Sequence, residues 1–409
     1  MSGIYLIFPK IMNLMKKNGY LKGNLSQGFI SLYTGKMITV ITYGISSIFL
    51  PIFLYKSYDN QLKYVVLFYV VGIWLYIFSV AYGAKFLNKF GFRKALRLSV
   101  IFGALFYLSF YFVNESNINY MIVFPIIALT LFRLTYWLPY HVDFAKFTSK
   151  KERGKQLSVL ESTRLIISVV SPLVFGFLIA KFGFQLMFLF GVFIYLMSGI
   201  PYLSIPRTKE KYSWSYMDTW KQFFAKENRG VVIAYMADGA ENVVGVIIWP
   251  IFIWELLNGD VLQVGIISTL IVGISVVLQL ILGKYTDKMD KKKMLKLGSI
   301  FHALGWIAKI FVVTTFQIFI TATYHNLSKI FIRTPFDVLT YEMAADEGHY
   351  VDEFTVIHEI AIGMGKSLML LLILFVSMFA SLQWTFILGA LAALLYNTIE
   401  FNKLKREVV

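Results

Sequence analysis

The feature that most constrains this chain is a succession of apolar stretches, each long enough to cross a bilayer, running almost without pause from about Phe29 to Glu400. A hydrocarbon core of about 30 Å needs roughly 20 mostly apolar residues per helix. Twelve such spans are expected, at approximately 29–54, 63–86, 95–113, 118–142, 157–181, 184–205, 230–258, 262–286, 294–314, 316–343, 354–378 and 382–402. Composition agrees, with 58% of residues apolar and 15% charged, against about 25% charged in soluble domains. A lipid-crossing barrel would show alternating segments of only about ten residues, and an open sheet edge has no place in lipid. The expected fold class is an all-α membrane protein.

A net charge of +16 would suit nucleic acid if the basic residues shared one soluble face. Instead they follow the loops. Of 39 Lys and Arg, 29 fall in the N-terminal segment, the even-numbered loops and the C-terminal tail, and only Lys56, Lys63 and Lys181 in odd-numbered loops. The positive-inside rule then puts the even loops and both termini in the cytoplasm, which requires an even number of spans. The chain has no cysteine, so disulfides, thiolate catalysis and cysteine metal sites are excluded. Its five histidines, His141, His302, His325, His349 and His358, show no zinc-like spacing. There is no phosphate-cradling glycine loop, so no ATP-driven step is expected. No cofactor, metal or nucleic acid is expected and no enzymatic activity; the expected partners are membrane lipids, a small solute and protons, with the chain a monomer. The apolar run Ile4 to Phe8 is too short for a secretory signal. A short interfacial helix is expected around Pro9 to Lys17.

An internal repeat divides the chain. Leu96 to Leu105 (LRLSVIFGAL) and Leu295 to Leu304 (LKLGSIFHAL) share six of ten positions at an offset of 199. The same offset aligns Phe49 to Tyr55 with Ile248 to Trp254, prolines matching, and the basic loops after spans 2 and 8. Three blocks on one offset imply two halves in the same membrane orientation, the arrangement of carriers built from parallel repeats. The expected organisation is a cytoplasmic segment 1–28, a six-helix bundle 29–205, an interfacial linker 206–229, a second six-helix bundle 230–402 and a tail 403–409. The linker mixes Trp214, Met217, Trp220, Phe223 and Phe224 with Lys211, Lys221 and Lys226, as an interfacial amphipathic helix does.

At those basic loops the chain resembles the major facilitator superfamily. Its motif there is a small residue, three others, an Asp, a basic residue, one other, a Gly and further basic residues. The second copy has Gly283, Asp287, Lys288, Lys291, Lys292 and Lys293, with Asp290 in the glycine's place; the first has Ala84, Asn88 in place of the acid, Lys89, Gly91, Arg93 and Lys94. The resemblance implies twelve helices in two pseudo-symmetric bundles that rock about a central site, and a cytoplasmic gate at these loops. Asn88, Lys89, Arg93, Asp287, Lys288 and Lys291 are its expected residues. The acidic stretch of Glu342, Asp346, Glu347, Asp352 and Glu353 before span 11 is expected to pair with them and complement a helix N-terminus. Arg133 matches part of a span 4 motif of drug and proton antiporters, with Trp137 where that motif has glycine; Ser171, Pro172 and Gly176 resemble the family's helix-bending motif.

Ionisable residues inside spans are costly and usually mark a pathway. Lys36, Arg133, Asp238 with Glu241, and His325 with Lys329 and Arg333 fall on spans 1, 4, 7 and 10, the helices that line the central cavity in the superfamily. His325, Lys329, Arg333 and Asp337 recur every four residues and share one helical face. Span 9 departs from the pattern with His302 and Lys309; Lys309, near a predicted end, is expected to snorkel. Two roles are open for these charges. As a site, Lys36, Arg133, Trp137, His325, Lys329 and Arg333 bind substrate, and Asp238, Glu241, Glu161 and Glu359 are proton-coupling candidates. As structure, Arg133 or Arg164 pairs with Glu161, Arg333 with Asp337, and Asp238 or Glu241 with Lys36 or Lys366. Gly239 and Gly245 are expected to bend span 7. Basic residues within the spans outnumber acids, which favours an anion.

The expected function is secondary active transport by alternating access, proton-coupled, of a small anionic or zwitterionic solute. The alternatives are an exporter of drugs or lipid-like amphiphiles with the same fold, suggested by the 17% aromatic content and by Tyr136, Trp137 and Tyr140 beside Arg133, and a non-transporting receptor or scaffold. Frequent Lys, Ile, Asn and Phe point to an AT-rich genome, and a bacterial inner membrane is the expected location.

Overall fold

The computed structural model describes residues 25–42, 44–148, 153–208, 212–286, 290–346 and 351–398. The expected helix near Pro9 to Lys17 lies outside them, as do Asp287 and Lys288. Apart from the short pieces Ile118–Met121, Tyr216–Phe223 and Lys226–Asn228, the described helices group into twelve segments. Helix α1 comes in three pieces, Gln27–Val40, a π-helical turn Ile45–Phe49 and Leu50–Ser57. Then follow α2 (Leu62–Phe90), α3 (Phe92–Tyr111), α4 (Val123–Phe147), and α5 and α6 at 153–182 and 184–202. Helix α7 repeats the plan of α1 as Arg229–Val243, a π turn Val244–Ile248 and Trp249–Leu256. After it come α8 (Val261–Thr286), α9 (Lys291–Ile310), α10 (Thr315–Asp346), α11 (Val351–Ser377) and α12 (Leu382–Thr385, Phe386–Leu395 and Tyr396–Thr398).

The repeat seen in the sequence governs the backbone. Both π turns, the helical pieces after them, the starts of α2 and α8, and both ends of α3 and α9 are separated by the same 199 residues. The tight turns before α2 and α8 match as well, with left-handed residues Asp59 and Asn60 in one and Asn258 and Gly259 in the other. The halves diverge at one matched position. Gly91 ends α2 at φ 87, whereas Asp290, which stands in the motif's glycine position, has φ −60 and caps α9 by accepting from Lys293 N at 2.9 Å. The glycine is dispensable there because a side-chain cap starts the next helix instead.

Among the described residues seven helices are long and apolar enough to cross a bilayer, and an eighth if the bent α1 is taken as one. The run Val159–Tyr202 counts once although Gly183, at φ 82 and ψ 172, divides α5 from α6. Helices α9 and α10 fall short because they carry Lys, His and Arg along their length, and α12 because it is broken into short pieces.

Two symmetry-related contacts join the halves, α2 with α11 and α5 with α8. At the second, Gly265 brings bare backbone against α5, since a Cβ there would lie 2.6 Å from Pro172 O and 3.2 Å from Gly176 Cα. At the first, Trp74 Nε1 donates to Ser367 Oγ at 2.5 Å and Tyr76 OH to Glu359 Oε2 at 3.0 Å. At the end away from the linker, α1 and α7 meet directly. Tyr55 stands edge-on to its repeat equivalent Trp254, ring centroids 6.1 Å apart, and donates to Glu255 Oε1 at 2.5 Å.

The linker forms an amphipathic helix, Tyr216–Phe223, started by a capping box between Ser215 and Asp218. Tyr216 stacks on Tyr82 at 4.4 Å and Trp220 lies on Phe78, while Met217 and Phe224 remain exposed. The segment ahead of it is clipped to both halves. Asn88 Nδ2 donates to Tyr212 O at 2.8 Å and Asn88 Oδ1 accepts from Tyr212 N at 2.9 Å. Glu353 Oε1 accepts from both the backbone N–H and the hydroxyl of Ser213, each at 2.6 Å. An aspartate at position 88 could not do this, because one of the two bonds needs an N–H donor.

Candidate functional site

Charged side chains inside the bundle gather in two clusters. The first belongs to the second half, where α7 faces α10. Glu241 is fully buried and accepts from Lys329 Nζ at 3.0 Å; His302 Nε2 lies 3.0 Å and His325 Nε2 3.6 Å from its Oε1. One turn earlier, Asp238 takes a two-pronged contact from Arg333, 2.9 Å to Oδ1 and 3.3 Å to Oδ2, and Oδ1 also accepts from Tyr396 OH at 2.8 Å. Arg333 reaches Asp337 as well, at 3.4 Å. The α10 stripe therefore faces the α7 carboxylates, and its side-chain exposure grades from 6% at His325 through 30% at Lys329 to 45% at Asp337. Removing Glu241 would leave Lys329 without its carboxylate, whereas Arg333 would keep Asp337 on loss of Asp238.

The neighbours correct three expectations. Asp238 and Glu241 are held by Arg333 and Lys329 instead of Lys36 or Lys366, because the long side chains of α10 reach across to the carboxylates of α7. Lys309 does not snorkel: it is 2% exposed with its ammonium 4.0 Å from the Trp306 ring and 4.3 Å from Trp249, a cation–π seat deep in the bundle. Gly239 does not bend α7 but lets α11 approach, since a Cβ on it would fall 2.8 Å from the Ile362 carbonyl carbon. The irregularity of α7 is the π turn containing Gly245.

A cavity of about 300 Å³ opens beside this cluster, walled by Glu241, His325, Lys329, Lys309, Asn242 and Asn326, with Ser47 and Ile48 of α1 opposite. It lies beside the π turns of α1 and α7.

The second cluster straddles the halves where α2 meets α11. The Arg133 guanidinium lies over the Tyr76 ring at 5.8 Å, and Tyr76 holds Glu359, whose other oxygen is 3.7 Å from His358 Nδ1. Lys366 is within electrostatic reach of Arg133, Glu359, Asp238 and Arg333, and so lies between the clusters. From the first half, Lys36 is buried with its ammonium above Trp137, Tyr140 and Tyr136 at 4.6, 4.9 and 5.2 Å. His141 stacks on Trp137 and senses Glu359, His358 and Lys36. Glu161 is apart from both groups, paired with Arg164 at 2.6 Å and half exposed, facing Asp337 of α10 across the bundle.

The structure thus brings together His325, Lys329, Arg333, Asp238 and Glu241 in one cluster and Arg133, Trp137, Lys36 and Glu359 in the other. Among the gate residues, Asn88 holds the linker, Lys89 is exposed, Arg93 is half-buried beside it and Lys291 is exposed at the start of α9. The side chains of Glu342, Asp346 and Asp352 lie outside the described residues. Glu353, from the same acidic stretch, binds Ser213 of the linker. Sequence reasoning left His302, Lys309 and Tyr396 out of the site; the signal for the first two was their presence in an apolar span.

Comparison with known proteins fits this architecture. A family model described as Major Facilitator Superfamily matches residues 32–239, just over half of the chain. No curated protein matches it. The family match covers the first half and enters α7, the backbone repeat extends the same plan through α12, and the ionised side chains face the interior; the chain is a multi-pass membrane transporter belonging to the major facilitator superfamily.

Proposed function

We propose that the protein is a proton-coupled secondary carrier of a small anionic or zwitterionic solute. The observation that carries this reading is the setting of Glu359: one carboxylate at the seam of the halves, amid Arg133, Lys366, His358 and His141. Fixed positive charge in a low-dielectric space favours an anion, and a guanidinium offers a planar fork to carboxylate or phosphate. While Glu359 is ionised it offsets Arg133 and Lys366. A proton on Glu359 releases their charge to an incoming anion, so proton and solute enter together and leave together. Asp238 and Glu241 hold α7 against α10 and set the resting charge of the neighbouring wall.

Proteoliposomes loaded with a pH-sensitive dye test the proposal against a panel of carboxylates, phosphates, amino acids and cationic amphiphiles. A narrow set of anions or zwitterions is expected to drive proton movement. Glu359→Gln is expected to stop gradient-driven uptake while leaving solute exchange intact, and Arg133→Gln to weaken both. Broad responses to amphiphiles would favour the exporter reading, which the run of rings Phe132, Tyr136, Tyr140 and Phe144 along α4 supports. Silence across the panel would leave neither.

A further inference from the structure

Three helices, α7, α9 and α10, bring Glu241, His302 and His325 to one point. Their side chains are 0%, 0% and 6% exposed, and one ligand atom from each lies within 4.8 Å of the others. Zinc binds imidazole nitrogen at about 2.0–2.1 Å and carboxylate oxygen at about 2.0–2.2 Å, so neighbouring donors around a tetrahedral ion lie roughly 3.3 Å apart. The two distances from Glu241 Oε1, 3.0 Å to His302 and 3.6 Å to His325, bracket that edge.

The surroundings of His302 are compatible with a ligand role. Ser328 Oγ is 2.8 Å from the His325 carbonyl oxygen and 3.0 Å from His302 Nδ1. Ser328 either donates to that carbonyl and accepts from His302 Nδ1–H, or donates to Nδ1, and this choice sets which ring nitrogen carries the proton. In the first arrangement Nε2 turns its lone pair toward the Glu241 carboxylate oxygen 3.0 Å away, and a proton or a metal cation belongs between them. The outward Nδ1–H bonded to an oxygen is also the support that metal-bound histidines regularly have.

We propose that Glu241, His302 and His325 form a binding site for a first-row divalent transition-metal cation, with its remaining coordination position open to the cavity beside α1. Imidazole with carboxylate suits zinc, cobalt or iron(II) better than calcium or magnesium. The cavity wall includes Glu241, His325 and Lys329, which gives the ion a way in. Lys329 competes with it, because its ammonium occupies Glu241 Oε2 at 3.0 Å; being 30% exposed, it can swing aside. Lys309 lines the same cavity and opposes the ion too. Spacing along the sequence could not reveal this site, since each ligand comes from a different helix.

The test uses the full chain, purified without an affinity tag, with zinc uptake measured by equilibrium dialysis and cobalt by visible absorption. One zinc per chain is expected, with a cobalt spectrum of four-coordinate intensity. Glu241→Gln and His302→Gln should each weaken binding on the order of a hundredfold. Lys329→Met should tighten it about tenfold by removing the competing charge, an outcome that nonspecific damage would not produce. Should Glu241→Gln or His302→Gln fail to give a monodisperse protein, His325→Gln at the cavity wall replaces it. No saturable zinc uptake, uptake indifferent to these ligand substitutions, or Lys329→Met without gain would each overturn the site. Binding is read with neither solute nor gradient present, so the result is independent of the transport proposal.

Discussion

Placing one methyl group where α7 crosses α11 tests whether backbone approach there sets the geometry of the buried charges. A Cβ on Gly365 would lie 2.6 Å from the Met236 carbonyl carbon and 2.7 Å from its Cα. Non-bonded carbons settle at about 3.5–4.0 Å, so Gly365→Ala must push the helices apart by on the order of 1 Å. The obstruction is main chain, which no rotamer change relieves. Such overpacking costs about 1–3 kcal/mol. The same shift would stretch contacts on α7, where Asp238 meets Arg333 at 2.9 Å and Glu241 meets Lys329 at 3.0 Å, toward the limit of an ion pair. Gly72→Ala is the control, because its Cβ would find a single neighbour, at 3.9 Å; relieving a mid-helix glycine there should gain about 0.5–1 kcal/mol. Thermal unfolding in detergent should therefore rank Gly72→Ala at or above the native chain and Gly365→Ala several degrees below it. Equal melting temperatures for the two variants would refute the close crossing.

Three other expectations follow from single contacts. Asn88→Asp loses one of two bonds to Tyr212 and turns a carboxylate toward the Tyr212 carbonyl, a loss of about 1–3 kcal/mol; limited proteolysis should cut the linker faster, and unchanged cutting would show that the clip carries no weight. Tyr55→Phe removes the bond to Glu255, worth about 1.5–3 kcal/mol for a charged acceptor, so cysteines placed near the far ends of α1 and α7 should label roughly tenfold faster or more, and identical rates would count against a closing contact there. Hydrogen bonds from Ser215 hold the Asp218 carboxyl below its ordinary value. A depressed folded value means that its support of the linker helix is complete above the usual carboxylate range and is lost as pH falls through and below it; the protection of the amides of residues 216–223, taken relative to intrinsic exchange at each pH, should fall on acidification, and Asp218→Asn should flatten the profile.

How far the sequence could be read depended on whether a feature is local or arises where helices cross. Span lengths, the 199-residue offset and the placing of charge on α1, α4, α7 and α10 are local, and the backbone follows them down to matched helix ends. Partners were not legible. Arg333 has Asp337 one turn away on its own helix, yet its shorter contact is with Asp238 of α7, and only the placing of α7 within reach of α10 decides that. Lys309 looked like a span-end residue because its tryptophan partners lie 60 residues and three residues away; Trp249 comes from a different helix. The substitution of Asn88 for an acid reads as a lost gate until the linker backbone is placed beside it.

The paired π turns at 45–49 and 244–248 make α1 and α7 behave like two-sided keys. Each wide turn slips one surplus residue into the helix, so the polar side carries Lys36 before it in α1 and Asp238 and Glu241 before it in α7, while the rings of Tyr55 and Trp254 meet after it. Deleting one residue inside either turn would re-phase everything beyond it by about 100°, turning that aromatic cap away from its counterpart while leaving the polar side in register.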